Sequence, residues 1–432
     1  MAYLPVDVVE VLAWGHRVGA VALDPASGFH VFEYRADWRR RGIELAPTTM
    51  PTSTASHVFP TLPPDTFHRL PALLADSLPD DFGNALTTAH LVGQGVRAGD
   101  ITPLDRLAYL ASRGTGALEF RPSRGPRTRR STAVELSELV FAARSAVAGA
   151  FDDERGITDA VKHLIAVGTS AGGARAKAVI AWNPVTDEVR SGQVPTDPGF
   201  EQWLLKLDGV GPDTDLGESA DFGRIEYAYH RMALAAGIAM TDCRLLHEGE
   251  RAHFMTRRFD RTADGAKIHA QTLCALGHLD FRLIGAHDYA QLFDIADRLD
   301  PGPDTRAEIY RRMVFNVAAA NCDDHTKNFS FLLAEDGAWA LSPAYDVTHA
   351  HHPASRWTAQ HLMSVNGQFT GIVADDLAIV GDRFEVPGAR AIVRRVIDAV
   401  DSWTEHADEA GVGPAARREV ATNIRAMTGP LR

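Results

Sequence analysis

The order of hydrophobic and polar residues changes along the chain, from alternation near its start to helical spacing farther on. Residues 5–35 alternate and are rich in valine, with a turn signal at Asp24-Pro25, which predicts a β-hairpin or small sheet. Residues 65–120 have the spacing of short helices, and one helix is predicted to begin at Pro103 after a threonine cap. The first part of the chain is therefore predicted to contain both α and β structure.

The rest of the chain is predicted to be first strand-rich and then mainly helical. Apolar runs of strand length occur at 178–183, 202–209 and 253–261. Helical spacing occurs at 226–237, 289–299, 306–321 and 389–403. The whole pattern predicts an α+β protein, with a small mixed α/β N-terminal lobe and a largely all-α C-terminal lobe.

Composition and charge are those of an ordinary globular protein. The chain has 432 residues, of which 45% are hydrophobic and 23% charged, enough for two or three lobes. Its net charge of −12 argues against extensive nucleic-acid binding, which needs a basic surface. A local exception is the Pro/Gly/Ser-rich stretch 121–132, with five arginines in its first ten residues. It is predicted to be a linker, with contact to nucleic acid or an acidic partner as the alternative.

The cysteines and the apolar segments bear on the cellular compartment. Cys243, Cys274 and Cys322 are far apart and form neither an even disulfide framework nor a CxxC metal site, which favours a reducing compartment. Asp7 and Glu10 interrupt the first apolar run and no basic segment precedes it, so no signal peptide is predicted. No stretch of eighteen uncharged apolar residues occurs. A cytoplasmic protein without membrane association is expected.

The strongest candidate for chemistry is the polar segment NCDDHTKN at residues 321–328. Asp323 and Asn328 have the D-x-x-x-x-N spacing of a kinase catalytic loop, in which the carboxylate orients the attacking hydroxyl and the amide oxygen holds Mg²⁺. Lys327 would stabilise charge on the γ-phosphoryl group of ATP. The alternative is an ordinary polar turn after a helix.

A second candidate lies eighteen residues farther on. Asp346 follows a predicted short strand at 339–342, where a kinase has its metal-binding aspartate. An asparagine and an aspartate supply the hard oxygen atoms that Mg²⁺ prefers. An aspartate that only ends a strand is the alternative, but the two segments together are more specific than either and predict phosphoryl transfer.

Two upstream features fit a nucleotide site. The small-residue loop in 167–183 lets backbone N–H groups approach phosphate at Gly168, Gly172 and Gly173, although it matches neither the Walker nor the kinase glycine pattern. A tight hairpin turn is the alternative. Lys206 is the one cation in an apolar strand, like the kinase lysine that contacts ATP phosphates, or else it extends to water from a strand edge.

Two further clusters are given structural interpretations. The segment RRFDR at 257–261 is predicted to form an ion-pair network rather than to act in catalysis. The histidines that follow Asp346 suggest a transition-metal site, but a solvent-facing loop is the favoured interpretation; they are His349, His351 and His352. With Asp323 and His325 they define a weaker alternative function, a metal-dependent phosphohydrolase.

With these segments assembled, the sequence resembles the HipA family of toxin–antitoxin serine/threonine kinases. The segments that carry the resemblance occur in the family's order, at 76–84, 104–122, 170–177, 204–209, 254–261, 321–332 and 341–347. The resemblance implies a HipA-like kinase fold, with ATP and Mg²⁺ as cofactors. It divides the chain into a HipA N-terminal-like domain (1–122), a basic linker (123–135), a nucleotide-binding kinase N-lobe (136–262) and a helical catalytic C-lobe (263–432).

The resemblance also implies residue roles. Asp323 would be the catalytic base, Asn328 and Asp346 would bind Mg²⁺, and Ser170 would be the regulatory autophosphorylated serine. The implied nucleotide contacts are Lys206, Gly172, Gly173, Ala174, Lys177 and His325. The chain departs from the family pattern at Arg175 and Ala176, where a Gln-Glu pair is usual, and at Asp324, where glycine is frequent.

The implied partners are an unidentified protein substrate and a HipB-like helix-turn-helix antitoxin. DNA association would be indirect, through that antitoxin. A second hypothesis from a different class is a catalytically inactive kinase-like module that acts as a co-repressor with the same kind of partner. Retention of Asp323, Asn328, Asp346 and Lys206 argues for the kinase.

Overall fold

The computed structural model describes residues 4–79, 81–126, 138–140, 176–193, 197–208, 221–249, 251–300 and 302–432. Several predicted site residues and most of the predicted basic linker lie outside the described residues; the site residues are Ser170, Gly172, Gly173 and Ala174. The chain forms two compact units. The N-terminal unit comprises Met1–Ala220, Leu246–Gln271 and Leu333–Ala338, and the C-terminal unit comprises Asp221–Leu245, Thr272–Leu332 and Trp339–Arg432.

The N-terminal unit begins with an antiparallel sheet. Its strands are β1 (Val8–Ala13), β2 (His16–Asp24), β3 (Phe29–Tyr34) and β4 (Leu118–Arg121), in the order β3-β2-β1-β4. Val9 and Val11, two positions apart on β1, are both fully buried, as expected when alternate side chains point to one face. The sheet predicted for the start of the chain is confirmed, and β4 joins it from about a hundred residues away in sequence.

Helices connect β3 to β4 in the N-terminal unit. In the described residues they are α1 (Ala36–Arg41), α2 (Pro64–Phe67), α3 (Ala72–Ala75), α4 (Asp81–Gly93) and α5 (Pro103–Leu110). Helix α5 begins at Pro103 as predicted. The hydroxyl of Thr102 accepts a hydrogen bond from the backbone N–H of Asp105 at 3.1 Å, and the Asp105 carboxylate accepts one from the N–H of Thr102 at 2.9 Å. This capping box fixes where the helix starts.

A second sheet lies in the middle of the chain. Its strands are β5 (Lys177–Trp182), β6 (Val189–Ser191), β7 (Glu201–Lys206), β8 (Cys243–Glu248) and β9 (Arg251–Arg257), in the order β6-β5-β7-β9-β8. A further short strand, β10, runs from His269 to Thr272. Trp182 and Trp203 pack edge to face with ring centroids 5.7 Å apart in the core of this sheet. The strands predicted from apolar runs are confirmed, although β9 ends four residues before the predicted end.

The residues after β9 form a buried ion-pair network instead of continuing the strand. Asp260 accepts hydrogen bonds from the guanidinium groups of Arg258 and Arg261 at 2.7–2.8 Å and from the backbone N–H of Gly116 at 2.8 Å. Burial by itself raises the pKa of Asp260, but the two arginine charges and these hydrogen bonds hold it well below its usual value. The structural role predicted for RRFDR is confirmed.

The C-terminal unit is mainly helical, as predicted. In the described residues its helices are α6 (Phe222–Ala236), α7 (Leu273–Gly277), α8 (Tyr289–Leu299), α9 (Pro303–Ala318), α10 (Ala374–Arg383), α11 (Ala389–Asp401), α12 (Trp403–Glu409) and α13 (Pro414–Thr428). Its short strands are β11 (His287–Asp288), β12 (Ser330–Leu333), β13 (Trp339–Leu341) and β14 (Met363–Ser364). Tyr229 on α6, Phe315 on α9 and Val396 on α11 are fully buried in one core.

Two helix ends show what the sequence pattern does and does not fix. Helix α6 stops before Gly237, which adopts φ +87° and closes the helix as predicted.

Helix α6 packs against α11 and α12, so Asp221–Leu245 belongs to the C-terminal unit by packing. The predicted lobe boundary between residues 262 and 263 stays a prediction. Helix α9 ends at Ala318, three residues before the predicted end.

Candidate active site

The segment that follows α9 is held in place by its backbone. Ala320 adopts φ +53°, which turns the chain out of the helix. Asn321 and Ala350 then form a parallel bridge, in which the N–H of Cys322 donates to the carbonyl of Ala350 at 3.0 Å and the N–H of Ala350 donates to the carbonyl of Ala320 at 3.1 Å. The segment ends in a single 3₁₀ turn at Thr326–Asn328. The predicted catalytic loop is therefore a defined irregular segment and not a helical extension.

The two adjacent aspartates of this segment have opposite environments. Asp324 is 1% exposed and accepts hydrogen bonds from the Tyr289 hydroxyl at 2.8 Å and from the backbone N–H of Leu362 at 2.7 Å. The side chain of Asp323 is 47% exposed, and its Oδ1 lies 3.8 Å from Nε2 of His325. Of the two carboxylates, that of Asp323 is the one exposed to solvent.

Asn328 and Asp346, the two predicted metal ligands, line the same cavity. The side-chain amide of Asn328 donates through Nδ2 to the carbonyl oxygen of Asp323 at 2.7 Å, which leaves its Oδ1 for another contact. Both residues line a small cavity of about 20 Å³ in the C-terminal unit. Asp346 has φ +54°, a left-handed conformation that aspartate tolerates better than most residues.

Tyr345 connects the two segments that carry these ligands. Its hydroxyl donates to the carbonyl of Lys327 at 2.6 Å and lies 2.5 Å from the Ser330 hydroxyl. Since Tyr345 directly precedes Asp346 and Lys327 directly precedes Asn328, this contact fixes the spacing of the two metal-ligand candidates. No sequence spacing indicated Tyr345, because its role depends on a contact across eighteen residues.

The oxygen atoms in this cavity fit a hard divalent cation. Asn328 and Asp346 contribute amide and carboxylate oxygens, which Mg²⁺ prefers. Asn321 lines the same cavity, and its buried Oδ1 accepts no hydrogen bond from the residues that the structure describes. A buried carbonyl oxygen without a donor is a position that water or an ion satisfies in most proteins.

Lys327 and His325 both contact one aromatic ring. The Nζ of Lys327 is 4.8 Å from the ring centroid of Phe281, and the imidazole of His325 is 5.4 Å from the same centroid. The His325 side chain is 19% exposed. Both side chains of the segment that carries Asp323 are thus packed against Phe281.

The N-terminal unit places two predicted nucleotide contacts side by side. Lys177 on β5 is the direct antiparallel partner of Lys206 on β7, so both side chains emerge from the same face of the sheet. Lys177 is 4% exposed and Lys206 is 8% exposed. The Nζ of Lys206 lies 5.7 Å from the ring centroid of Phe254, its partner on β9. The two lysines are thus direct neighbours on one face of this sheet.

One cluster in the C-terminal unit was not predicted. The Sγ atom of Cys322 lies 3.7 Å from Nδ1 of His351 and 4.0 Å from Nε2 of His361, whose other ring nitrogen is 3.0 Å from Oδ2 of Asp324. Burial lowers the pKa of His361, but the charge of Asp324 and its hydrogen bond raise it to about 10. His361 had no sequence signal, since it is 37 residues beyond Asp324.

The transition-metal site, the less favoured interpretation of the histidines after Asp346, is not formed in the described residues. The favoured interpretation, a solvent-facing loop, is wrong as well, since His349, His351 and His352 are all partly buried. His349 lies 3.1 Å from the side-chain amide of Asn423, while His351 faces Cys322. Throughout the described part of the chain, no three His, Cys, Asp or Glu side chains are grouped so that they could hold a metal ion. This arrangement removes the support for a histidine-based phosphohydrolase.

Comparison with known proteins agrees with this architecture. Residues 9–121 match the HipA N-terminal domain, and residues 169–404 match the HipA-like C-terminal domain. Y4mE of Sinorhizobium fredii (strain NBRC 101917 / NGR234), which bears the name of a kinase, is 27% identical over 206 residues. That match covers 45% of this chain and 42% of Y4mE, so the chain spans less than half of this relative's length.

A solved structure shows the same fold over nearly the whole chain. It is a chain of the complex of HipA, HipB and operator DNA from the Shewanella oneidensis MR-1 toxin–antitoxin system, with a TM-score of 0.67 and 15% identity. The match covers 98% of both chains. In the described residues of the present chain, no helix is both long and apolar enough to cross a membrane. The predicted α+β class is confirmed, and the chain belongs to the HipA family.

Proposed function

We propose that this chain is a serine/threonine protein kinase of the HipA type, which uses ATP and Mg²⁺ to phosphorylate a protein. The observation that carries the proposal is the grouping of three residues. Asn328 and Asp346 line one cavity, and the amide of Asn328 is hydrogen-bonded to the backbone of Asp323. Phosphoryl transfer needs positioned charge more than covalent chemistry, so a few residues at fixed spacing suffice.

Asn328 and Asp346 would hold the Mg²⁺ ion through their side-chain oxygens. Bound Mg²⁺ would neutralise charge on the ATP phosphates during transfer. The hydrogen bond from Asn328 Nδ2 to the Asp323 carbonyl orients the amide, so that its oxygen is the atom left for the ion. The hydroxyl of Tyr345 keeps the Asp346 segment against the loop by its bond to Lys327.

Asp323 would act as the base for the substrate hydroxyl. Its carboxylate would take the hydroxyl proton while the hydroxyl oxygen bonds to the γ-phosphorus and the bond to ADP breaks. We assign this role to Asp323 rather than to Asp324, because the carboxylate of Asp324 is buried and accepts hydrogen bonds from Tyr289 and Leu362. Lys327, held over Phe281, would stabilise charge on the transferred group.

In the N-terminal unit, Lys206 and Lys177 would contact ATP phosphates. Like charges directly opposite each other on a sheet destabilise it, and a bound anion would relieve that repulsion. His325 in the C-terminal unit is proposed as a further nucleotide contact. We also propose the loop with Gly172, Gly173 and Ala174 as a phosphate cover and Ser170 as the autophosphorylation site, although these residues lie outside those that the structure describes.

The proposed partner is a HipB-like helix-turn-helix antitoxin, with DNA association through that partner. Family membership and the Shewanella complex, which contains HipB and operator DNA, support this part of the proposal. The net charge of −12 favours an indirect route to DNA over extensive direct binding.

Incubation of the purified chain with Mg-ATP, followed by mass spectrometry, tests the proposal. Phosphate is expected on the wild-type chain, first of all on the peptide with Ser170, and none is expected on Asp323→Ala. Asp336→Ala is the matched control, because Asp336 is an exposed aspartate in the turn between β12 and β13. A wild-type chain that neither binds ATP nor gains phosphate would contradict the proposal.

A further inference from the structure

Asn321 is a buried polar residue in the cavity of Asn328 and Asp346 that the proposed mechanism leaves without a role. It is 3% exposed, and its Nδ2 donates to Oδ1 of Asn316 at 2.9 Å. Its Oδ1 is fully enclosed, yet it accepts no hydrogen bond from any residue described in the structure. Asn321 lines the same cavity as the two metal-ligand candidates. An acceptor atom is thus left over at this cavity.

The orientation of the Asn321 amide is fixed by its neighbours. Asn316 accepts from Asn321 with its oxygen and donates with its Nδ2 to the hydroxyl of Tyr289 at 2.9 Å. Tyr289 in turn donates to the Asp324 carboxylate at 2.8 Å. Turning the Asn321 amide over would place two oxygen atoms against each other and break this chain of donors. These contacts therefore fix the Asn321 nitrogen on Asn316 and leave its oxygen as the atom without a donor among the described residues.

An oxygen at this position is expected to have a ligand. Leaving a buried carbonyl oxygen without a donor costs free energy, because the group loses its hydrogen bond to water and gains none in return. The cavity is about 20 Å³, roughly the space for one or two water molecules. Mg²⁺ in proteins keeps several of its water ligands, and those waters need acceptors for their hydrogen atoms.

We propose that Asn321 is a positioning residue of the divalent-cation site, whose Oδ1 accepts a hydrogen bond from a water molecule bound to the cation. The inference rests on the proposed function, since Asn328 and Asp346 hold the cation itself. Asn321 thereby adds an outer acceptor to an inner pair of oxygen ligands. The D-x-x-x-x-N spacing does not include this position, which lies two residues before Asp323.

The test is a titration of the full-length chain with Mn²⁺ at a fixed concentration of a non-hydrolysable ATP analogue. Electron paramagnetic resonance measures how much Mn²⁺ is bound at each step. Asn321→Ala is expected to bind Mn²⁺ roughly tenfold more weakly, the size usual for loss of an outer-shell partner. Asn321→Asp keeps the acceptor oxygen, and when its buried carboxyl is protonated the other oxygen still donates to Oδ1 of Asn316. Its Mn²⁺ affinity is therefore expected to equal or exceed that of the wild type. The control is Asn366→Ala, which removes a 2.9 Å bond to Asp376 at a residue that does not line the cavity.

The outcomes separate this inference from the proposed function. Wild-type Mn²⁺ affinity in a folded Asn321→Ala variant would overturn the inference and leave the kinase proposal standing. If circular dichroism shows that Asn321→Ala is unfolded, Asn321→Asp decides, and Mn²⁺ binding weaker than wild type would overturn it. Both the inference on Asn321 and the kinase proposal would be overturned by one result. In that result, the wild-type chain gives the same Mn²⁺ signal as the nucleotide analogue alone and the same signal as Asn328→Ala.

Discussion

The Nδ1 atom of His361 lies 3.0 Å from the Oδ2 atom of Asp324, and both side chains are enclosed in the core of the C-terminal unit. The hydroxyl of Tyr289 donates to the same oxygen, and the backbone N–H of Leu362 donates to the other. The carboxylate of Asp324 is therefore held by three donors, while the residue also lines the cavity of Asn328 and Asp346. The pair of adjacent aspartates thus divides into a structural residue, Asp324, and an accessible residue, Asp323.

The different environments of the two aspartates predict different effects of substitution. Replacement of Asp324 is expected to lower stability, and replacement of Asp323 is expected to lower activity. Asp324→Ala leaves a buried imidazole, a hydroxyl and an N–H group without their acceptor, so the free energy of unfolding is expected to fall by about 3–5 kcal/mol. Asp323→Ala removes a half-exposed side chain, so its unfolding free energy is expected to change by about 0.5 kcal/mol or less. Phosphate transfer by Asp323→Ala is expected to fall by at least about 100-fold.

Urea unfolding and phosphate incorporation, measured on both variants, check this prediction. Retention of full transfer activity in Asp323→Ala, with loss of activity in a folded Asp324→Ala, would assign the base to the other aspartate. Asp324→Asn is the conservative companion, because it keeps the shape of the side chain and removes only the charge.

The buried histidine predicts a dependence of stability on pH. The pKa of His361 is about 10 in the folded chain, above its ordinary value near 6.5, because the charge of Asp324 outweighs the effect of burial. The protonated imidazole therefore contributes stability that is fully present below about pH 6.5 and is lost as pH rises toward 10. Urea unfolding at intervals from pH 6 to pH 10 is expected to show this decline in wild type and a flatter profile in His361→Gln. Parallel profiles for the two proteins would exclude His361 as the source.

The ion-pair network of the N-terminal unit predicts a large stability effect outside the candidate site. Asp260→Ala leaves the guanidinium groups of Arg258 and Arg261 largely buried and without their shared carboxylate. The expected loss is about 3–5 kcal/mol of unfolding free energy. Asp264→Ala is the control, since that exposed carboxylate accepts from Thr262 and its loss should cost about 1 kcal/mol or less. Similar losses for the two variants in urea unfolding would argue against a special role for the buried network.

The sequence predicted the ends of an element where those ends depend on contacts between residues close together in the chain. Helix α8 runs from Tyr289 to Leu299 as predicted, because Asp288 and Gln291 form a capping box at its start. Helix α9 ends earlier than predicted, since Ala320 takes a left-handed conformation and the following residues pair with Ala350 instead. That pairing joins segments 29 residues apart, which helical periodicity does not record.

In the candidate site too, residues identified by short-range spacing were predicted, and residues that act through long-range contacts were missed. Spacing within two short segments was enough to name Asp323, Asn328 and Asp346 as candidates, although their roles stay predictions. Tyr345 and His361 were missed because each acts through a contact across 18 or more residues. The difference between Asp323 and Asp324 was also open in the sequence, because identical side chains are distinguished only by their burial.

The lysine pair of the N-terminal unit gives the last prediction, which concerns Lys177. Lys177 and Lys206 lie opposite each other on one sheet face with little exposure, and like charges in that position repel by about 0.2–1 kcal/mol. Lys177→Met keeps the length of the side chain and removes its charge, so the nucleotide-free chain is expected to become more stable by about that amount. Its affinity for ATP, measured by isothermal titration calorimetry, is expected to fall by roughly tenfold, a loss of about 1.4 kcal/mol.

Lys267→Met is the matched control for this prediction, because Lys267 lies in the same unit but is neutralised by Glu119 at 2.9 Å and donates to the carbonyl of Ser112 at 2.8 Å. Its loss is expected to lower the unfolding free energy and leave ATP affinity unchanged. The two lysines should therefore move stability in opposite directions, which a general effect of removing a buried cation would not produce. Destabilisation by Lys177→Met together with wild-type ATP affinity would mean that the Lys177–Lys206 pair supports the sheet and has no part in binding phosphate.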